Sequence, residues 1–525
     1  MRRHHEAGAP TALEVLKEAM DQRGEITDAD RQLAAERSGL PEAAVYGVST
    51  FYDDLLTPRG KRHVRVCTGT ACFAAAGEAH VREVEQGLGL ALGERAEDRS
   101  LSVAETVCLG YCHAAPAVRD GDVIDAGPGA IERVLAGSCR PAPEPVQVST
   151  FAEPVLLRQG DWSGYAARTT PEELLAAVKA AEVRGRGGAG FPAGLKWEFA
   201  AKSPNPDKVI VANGDEGDPG SYIDKVLMED NPHLLLEGMA LAGFAVGATQ
   251  GFILVRSEYP RAKPALDRAV EEAKAYTDFQ FHVIEGAGSY VVGEETALLS
   301  CLQGLRGTVS ARPPFPAERG VHGLPTVVNN IETLCNIPYI AKHGAEAYRA
   351  LSPNATPGSK LVCFNERFAK PGVYEVPFGM TVRELCELAG GVPGGIKALQ
   401  IGGPLAGILP ASLLDTVFDF APMAAVGCMV GHGSIVAFEE GTDMHAVAEH
   451  LLHFGASESC GKCFPCRIGL NRAHAMFANG GPVDKSSLEA LLETLELGSL
   501  CAHGSGMPAP IRSLITHFPE ELGLA

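Results

Sequence analysis

Eight of the 14 cysteines in this chain fall into two groups of four, at spacings that suit metal clusters. In Ser459-Cys460-Gly461-Lys462-Cys463-Phe464-Pro465-Cys466-Arg467 three thiols recur two residues apart, and a fourth follows at Cys501. Three thiolates on a turn entering a helix can take three corners of a cubane while a distant cysteine takes the last, so this group predicts a [4Fe-4S] cluster. Zinc sites usually pair two knuckles or add histidines, which fits this run poorly. The second group, Cys67 with Cys72 and Cys108 with Cys112, brings two pairs from two loops. That suits a [2Fe-2S] rhomb, each iron taking two cysteines. Zinc competes more strongly here, although Gly69, Gly110 and Ala71 favour backbone N–H groups reaching cluster sulfides. Cys139, Cys301, Cys335, Cys363, Cys386 and Cys428 stand alone and read as small core residues.

Three further stretches carry chemistry of another kind. Arg184-Gly185-Arg186-Gly187-Gly188-Ala189-Gly190-Phe191-Pro192-Ala193-Gly194 contains G-x-G-x-x-G, but after a helical pattern rather than a strand, so the ordinary dinucleotide context is missing. With Arg184, Arg186 and Lys196 it describes either a backbone able to approach phosphates closely or a flexible surface loop. Asn213-Gly214-Asp215-Glu216-Gly217-Asp218-Pro219-Gly220 follows the apolar run Val209 to Ala212. Acids there can bind a divalent metal, hydrogen-bond ribose hydroxyls or form a solvated turn. Gly293-Glu294-Glu295-Thr296 and Asn329-Asn330-Ile331-Glu332-Thr333 stand at the starts of expected helices, where they bind ligands or serve only as caps.

A chain of 525 residues exceeds one core and implies several domains. Helical spacing marks a lead over 1–60, and short β-rich runs separated by an Ala-rich helix mark a small α/β layer over 61–140. Pro141, Pro143 and Pro145 suggest a semi-rigid linker over 141–150. An α/β domain follows over 151–357, a compact α+β insert over 358–435, and a helical region over 436–525. The fold class is therefore multidomain α/β and α+β. A formal charge of −20 opposes nonspecific binding to nucleic acid or anionic membranes. The longest apolar run, Gly238 to Ala248, is about half a membrane span. Met1-Arg2-Arg3-His4-His5 is followed by charged, amphipathic sequence rather than an apolar signal core, so the expected location is cytoplasmic, where thiols stay reduced.

Taken in order, the glycine loop, the acidic turn, Gly293-Glu294-Glu295, Arg312-Pro313-Pro314-Phe315-Pro316, Asn329-Asn330 and the Ser-Cys-Gly-x-Cys-x-Pro-Cys-Arg run resemble the NADH-binding flavoprotein (51-kDa-type) subunit of respiratory complex I. Residues before the linker are similar to its neighbouring 24-kDa-type [2Fe-2S] subunit, with a thioredoxin-like domain, so the two look fused. The resemblance implies a ubiquitin-like insert and a C-terminal helical bundle. It implies FMN against Gly185, Arg186, Gly187, Lys196, Asn213, Asp215, Glu216, Gly293, Glu294, Asn329, Asn330 and Thr333. NADH would lie over the flavin, with Phe191 and Phe315 near adenine, Glu295 near ribose, and Asp218 among its contacts. Two departures are Asp218, where that family usually has Glu, and Arg312, where it usually has Lys.

The fusion and the acidic turn look most like the beta subunit of soluble NAD-dependent formate dehydrogenases, with NAD-reducing hydrogenases or complex I itself as alternatives. A partner subunit with molybdopterin, holding molybdenum or tungsten, and iron-sulfur clusters is then expected, or else a hydrogenase module. The implied reaction is hydride exchange between NADH and FMN, followed by single-electron transfer, and it requires no catalytic acid, base or nucleophile from the protein. An iron-sulfur redox sensor or scaffold is the reading of a different class. The cysteine arithmetic predicts about six iron and six sulfide per chain. Iron and sulfide analysis checks this, and four irons with stoichiometric zinc would remove the N-terminal cluster.

Overall fold

The computed structural model describes residues 10–478 and 483–524, so the reading of Met1 to His5 falls outside the described residues. Its centre is a parallel sheet of four strands, Val209–Gly214, Gln250–Val255, Gln280–Glu285 and Thr326–Asn330. The first three step outward in one direction, whereas Thr326–Asn330 returns to pair with Val209–Gly214 on its other side. The connections diverge between these two strands. In open parallel sheets a ligand crevice forms at the carboxyl ends of the strands at such a point. The acidic turn and Asn329-Asn330 leave the sheet there.

A parallel sheet must be covered on both faces. Ile210 and Ala212 face the helix Pro232–Val246, which contains most of the long apolar run and is buried along nearly its whole length. Alternate residues Val209 and Val211 face the other way, and they pack against Leu13, Leu16 and Met20 of the N-terminal helix Ala12–Arg23. The helical lead is therefore the second layer of the central sheet. Thr11 starts its first helix with a capping box and Thr27 starts Asp28–Ser38 in the same way.

The small N-terminal sheet runs in the order Leu101–Thr106, Arg62–Cys67, Ala117–Asp120, Val123–Ala126, with only the first pair parallel. Cys67 ends its strand and Cys72 lies in the following helix Thr70–Ala76, while Cys108 and Cys112 follow Leu101–Thr106. The insert supplies five strands of a six-stranded sheet and the helix Val382–Leu388. The sixth strand is Val146–Ser149, paired in parallel with Gly372–Pro377. The end of the proline-bearing stretch is thus an edge strand rather than a free spacer. Pro cannot donate to a ladder, and the strand begins just after Pro145. Glu375 fixes the exit, accepting the N–H groups of Val155 and Leu156 at 2.9 Å each.

Beyond the insert the chain is helical, from Met444–Ser457 to Pro508–His517. No helix of the described residues is long and apolar enough to cross a membrane. Because the lead covers the central sheet, Leu16→Ala is expected to cost about 2–5 kcal/mol, as for a fully buried leucine. A thermal melt followed by release of bound flavin measures the loss, and an unchanged melt would show that the lead does not support the sheet.

Candidate flavin, nicotinamide and iron-sulfur sites

The glycine loop is closed at its base. The Gly185 N–H donates to the Phe191 carbonyl at 2.9 Å and the Ala193 N–H to the Val183 carbonyl at 2.9 Å, and the chain then enters the helix Ala193–Ala201. Here the sequence alone left a flexible loop open as a reading. The loop lies against the sheet edge: a Cβ on Gly187 would come within 3.0 Å of the Asn330 Cβ, and the Arg186 N–H donates to Thr333 Oγ1 at 2.8 Å. The Arg186 side chain runs to Tyr348 and Pro357. It is buried, donates to Tyr348 Oη at 3.0 Å and to the Pro357 carbonyl at 3.2 Å, and leaves Nε and Nη1 without a protein acceptor.

The acidic turn has divided roles. Glu216 is buried, and its carboxylate accepts Ser221 Oγ at 2.6 Å and the N–H groups of Ile223, Asp224 and Lys225 at 2.7, 3.1 and 2.9 Å. It fills the N-terminus of the helix Ile223–Asp230 and presents no free oxygen to a ligand. Asp215 differs. Its Oδ2 is buried without a partner, and burial pushes its carboxyl up to about 8. Asn213 Nδ2 donates to the Gly293 carbonyl at 2.7 Å, so the turn and the Gly293-Glu294-Glu295 segment are joined. Asn329 accepts from Trp197 Nε1 at 2.8 Å. Glu294 and Asn330 cap the helices Glu295–Leu302 and Ile331–Cys335.

At the outer rim, Lys196 Nζ lies 3.1 Å from Glu295 Oε2 and 6.0 Å from the Phe191 ring centroid. Arg312 pairs with Glu294 and reaches Glu295 Oε1 at 3.1 Å. Phe191 and Phe315 expose 44% and 53% of their surface. Exposed rings and a carboxylate held between two cations are suited to an adenosine. Asp218 lies apart from this group, accepting Tyr290 Oη at 2.7 Å, with its carboxyl raised by burial.

Within each group the thiols lie close enough to act on one another. Cys108 and Cys112 Sγ are 3.6 Å apart, close to the roughly 3.7–3.8 Å edge of a tetrahedron built on 2.3 Å metal–sulfur bonds. The Gly110 N–H points at Cys108 Sγ at 3.4 Å. Hydrogen bonding with Cys67 and with Cys108, reinforced by burial, raises the Cys72 and Cys112 thiols. Two buried pairs that resist joint ionisation fit a cationic centre taking two thiolates per metal. In the C-terminal group burial, together with the neighbouring Cys463, Cys501 and Cys460 thiols, pushes Cys466 up to about 12. Cys501 starts the helix Ala502–Gly506, whose first N–H groups at His503 and Gly504 partly offset its burial. These residues fit a cluster. Of the solitary cysteines, all but the half-buried Cys139 are buried.

Family models match along the chain: the Nuo51 FMN-binding domain over residues 178–339, a thioredoxin-like [2Fe-2S] ferredoxin over 1–130, and the NADH-ubiquinone oxidoreductase-F iron-sulfur binding region over 446–524. The second F-type subunit of NADH-quinone oxidoreductase from Rhizobium meliloti strain 1021 is 37% identical over 406 residues, covering 70% of this chain and 96% of that protein. The chain belongs to the family of NADH-quinone oxidoreductase F-type subunits. The F-type subunit of Escherichia coli strain K12 is 40% identical over 373 residues, covering 67% of this chain and 84% of its own. The NADP-reducing hydrogenase subunit HndC of Solidesulfovibrio fructosivorans is 38% identical over 371 residues, covering 67% and 76%. A chain from the crystal structure of an NAD+-reducing [NiFe]-hydrogenase in the H2-reduced state superposes with a TM-score of 0.88 at 29% identity, covering 98% of this chain and 93% of that one.

This member of the F-type family is thus an NAD(H)-dependent oxidoreductase subunit with FMN, [2Fe-2S] and [4Fe-4S] domains, and the resemblance to a fusion of two complex I subunits is borne out. Sequence reasoning missed two of its residues. Tyr290 lies three positions before Gly293, a spacing that carried no signal of its own. Its hydroxyl reaches the acidic turn and its N–H donates to Glu458 beside the cysteine run at 2.9 Å. His432, from the insert, lies 3.1 Å from Asp224 Oδ2 and 3.4 Å from Asn330 Nδ2, and despite burial the Asp224 carboxylate raises its imidazole to about 9. Asp224 stands 208 residues earlier in the sequence, beyond any local pattern.

Glu295 offers the sharpest test at the rim. A carboxylate beside a ribose accepts hydrogen bonds from its hydroxyls and repels a 2′-phosphate. Glu295→Ala should lower NADH affinity and raise NADPH activity, since Lys196 and Arg312 are then released to face the phosphate. Steady-state rates with both dinucleotides and a thermal melt check this. An unchanged preference with a lower melting temperature would reduce Glu295 to a helix residue whose loss costs only about 0.5–2 kcal/mol.

Proposed function

We propose that the chain is the NADH/NAD+-reactive diaphorase subunit of a NAD-linked formate dehydrogenase, passing electrons between NADH and a molybdopterin-bearing partner. FMN supplies the exchange between the electron pair of nicotinamide and the single electrons of iron-sulfur clusters. The protein's part is to hold the two reactants in one crevice and place a cluster directly behind it.

The observation that carries this reading is Tyr290. Its ring packs edge-on against Phe454 at 4.9 Å and lies 5.6 Å from His503, two residues after Cys501. On its other side a Cβ at Gly217 would touch the ring at 2.7 Å. One aromatic residue therefore separates the turn assigned to flavin from the loop assigned to the [4Fe-4S] cluster. The crevice walls would be the backbone of Gly185 to Gly187, Asn213, Asp215, Gly293, Asn329 and Asn330, with Phe191, Glu295 and Phe315 receiving the adenosine.

Support for a partner lies beside the same loop. Phe464 and Leu497 expose 68% and 78% of their surface, and Ile468 and Leu500 are exposed too. A Cβ on Gly498 would meet Pro465 at 2.9 Å, so these side chains share one end of the helical region. An apolar patch next to a cluster loop suits a protein that exchanges electrons there. The fusion and the acidic turn favour a formate-oxidising partner. The full-length likeness to an NAD+-reducing [NiFe]-hydrogenase chain favours a hydrogenase module as the second reading. All 14 cysteines are free, consistent with the reducing conditions of the cytoplasm.

Purifying the complex from its source and measuring NAD+ reduction with formate and with hydrogen, alongside molybdenum, tungsten and nickel content, decides between the two. In that complex Cys463→Ala should leave bleaching by NADH intact while abolishing electron delivery to the partner. Delivery at the normal rate would remove the [4Fe-4S] group from the route.

A further inference from the structure

The wall between the acidic turn and the N-terminal cysteine loops is thin. A Cβ on Gly69 would lie 3.1 Å from the Pro219 Cβ, and one on Gly110 would lie 2.6 Å from the Tyr259 ring and 2.8 Å from Lys225 Cδ. Both cysteine loops thus rest directly on the turn and on the residues that anchor it. Into this wall the fold inserts a guanidinium. Arg256 follows the strand Gln250–Val255 and is 4% exposed. Its Nη1 donates to the Glu216 carbonyl at 2.6 Å, its Nη2 donates to Glu258 at 2.9 Å, and the group lies 5.2 Å from the Tyr259 ring centroid. Tyr259 Oη in turn donates to Glu216 Oε2 at 3.2 Å.

The charge acts on both sides of the wall. It opposes the burial that raises Asp215. On the other side it lies behind the Tyr259 ring, against which Gly110, between Cys108 and Cys112, is packed. Burying a cation is costly unless it is paired, and Glu258 provides the pair. The guanidinium nevertheless stays within the wall on which the cysteine loops rest.

We propose that Arg256 is a positioning residue that raises the reduction potential of the [2Fe-2S] centre, its fixed charge acting across the flavin turn on the Cys67, Cys72, Cys108 and Cys112 site. Adding one electron makes the cluster more negative, and a nearby cation in a low-dielectric wall stabilises that state. Glu258 offsets part of the effect. The inference rests on the assignment of those four cysteines as cluster ligands. The two fail separately, because loss of that assignment appears as missing iron whereas loss of this inference appears as an unmoved potential at full iron.

The test is a mediator-buffered redox titration of the full-length protein, followed by electron paramagnetic resonance of both clusters. Arg256→Gln should shift the [2Fe-2S] midpoint downward with the [4Fe-4S] midpoint unmoved, and Arg256→Lys should restore most of the wild-type value. Glu258→Gln should shift the same midpoint upward. Opposite signs from the two members of one ion pair are an electrostatic signature that a merely structural role does not produce. If Arg256→Gln fails to fold, the sign of the Glu258→Gln shift decides alone. A fully loaded Arg256→Gln protein with an unchanged midpoint, or a Glu258→Gln midpoint that stays or falls, overturns the proposal.

Discussion

The buried carboxylate of Glu216 is the interaction from which the rest of the site is hung. A helix start leaves its first N–H groups without partners, and Ile223–Asp230 begins inside the protein where water cannot supply them. Glu216 accepts three of those N–H groups, and its own carbonyl receives Arg256 and Tyr259. A turn that leaves a strand end is ordinarily mobile. Here it is bonded through side chain and main chain to a helix, to the neighbouring strand's end and to the residues beneath the cysteine loops. That rigidity lets Asp215 remain buried with an unsatisfied oxygen, a costly arrangement that a loose turn would relax.

The same interlocking shows at domain scale. The lead closes the open face of the central sheet, Val146–Ser149 extends the insert's sheet, and the fully buried pair of Lys360 with Glu332 joins the insert to the end of Thr326–Asn330. Other contacts between the domains pass close to candidate cofactor residues. His432 approaches Asn330, Tyr290 approaches the cysteine run, and Lys225 lies beneath Gly110. Electron transfer needs fixed separations, and a set of interlocked domains holds them better than a string of independent ones.

Local sequence carried the chemistry more reliably than the architecture. Cysteine spacing and the glycine and acidic runs are short-range patterns, and Val382–Leu388 was legible because Thr381 and Glu384 form a capping box around an apolar face. The lead was legible as helices but not as a layer of the sheet, because its partners Val209, Val211 and Leu254 lie about two hundred residues away. Glu216 was grouped with its acidic neighbours because composition does not tell which carboxylate turns inward. For Arg186, the sequence did not show that its guanidinium donates to Tyr348 and Pro357, which lie more than 160 residues away.

The central claim is that nicotinamide, flavin and the C-terminal cluster form one conducting unit within this chain. Mixing the anaerobic full-length protein with NADH and freezing the sample at successive times allows flavin absorbance and the [4Fe-4S] resonance to be followed together. Bleaching accompanied by growth of the cluster signal, with the second process lost in Cys463→Ala, is the predicted result. A flavin fully bleached by NADH beside a cluster that stays oxidised, yet is reduced by dithionite in the same protein, would contradict it.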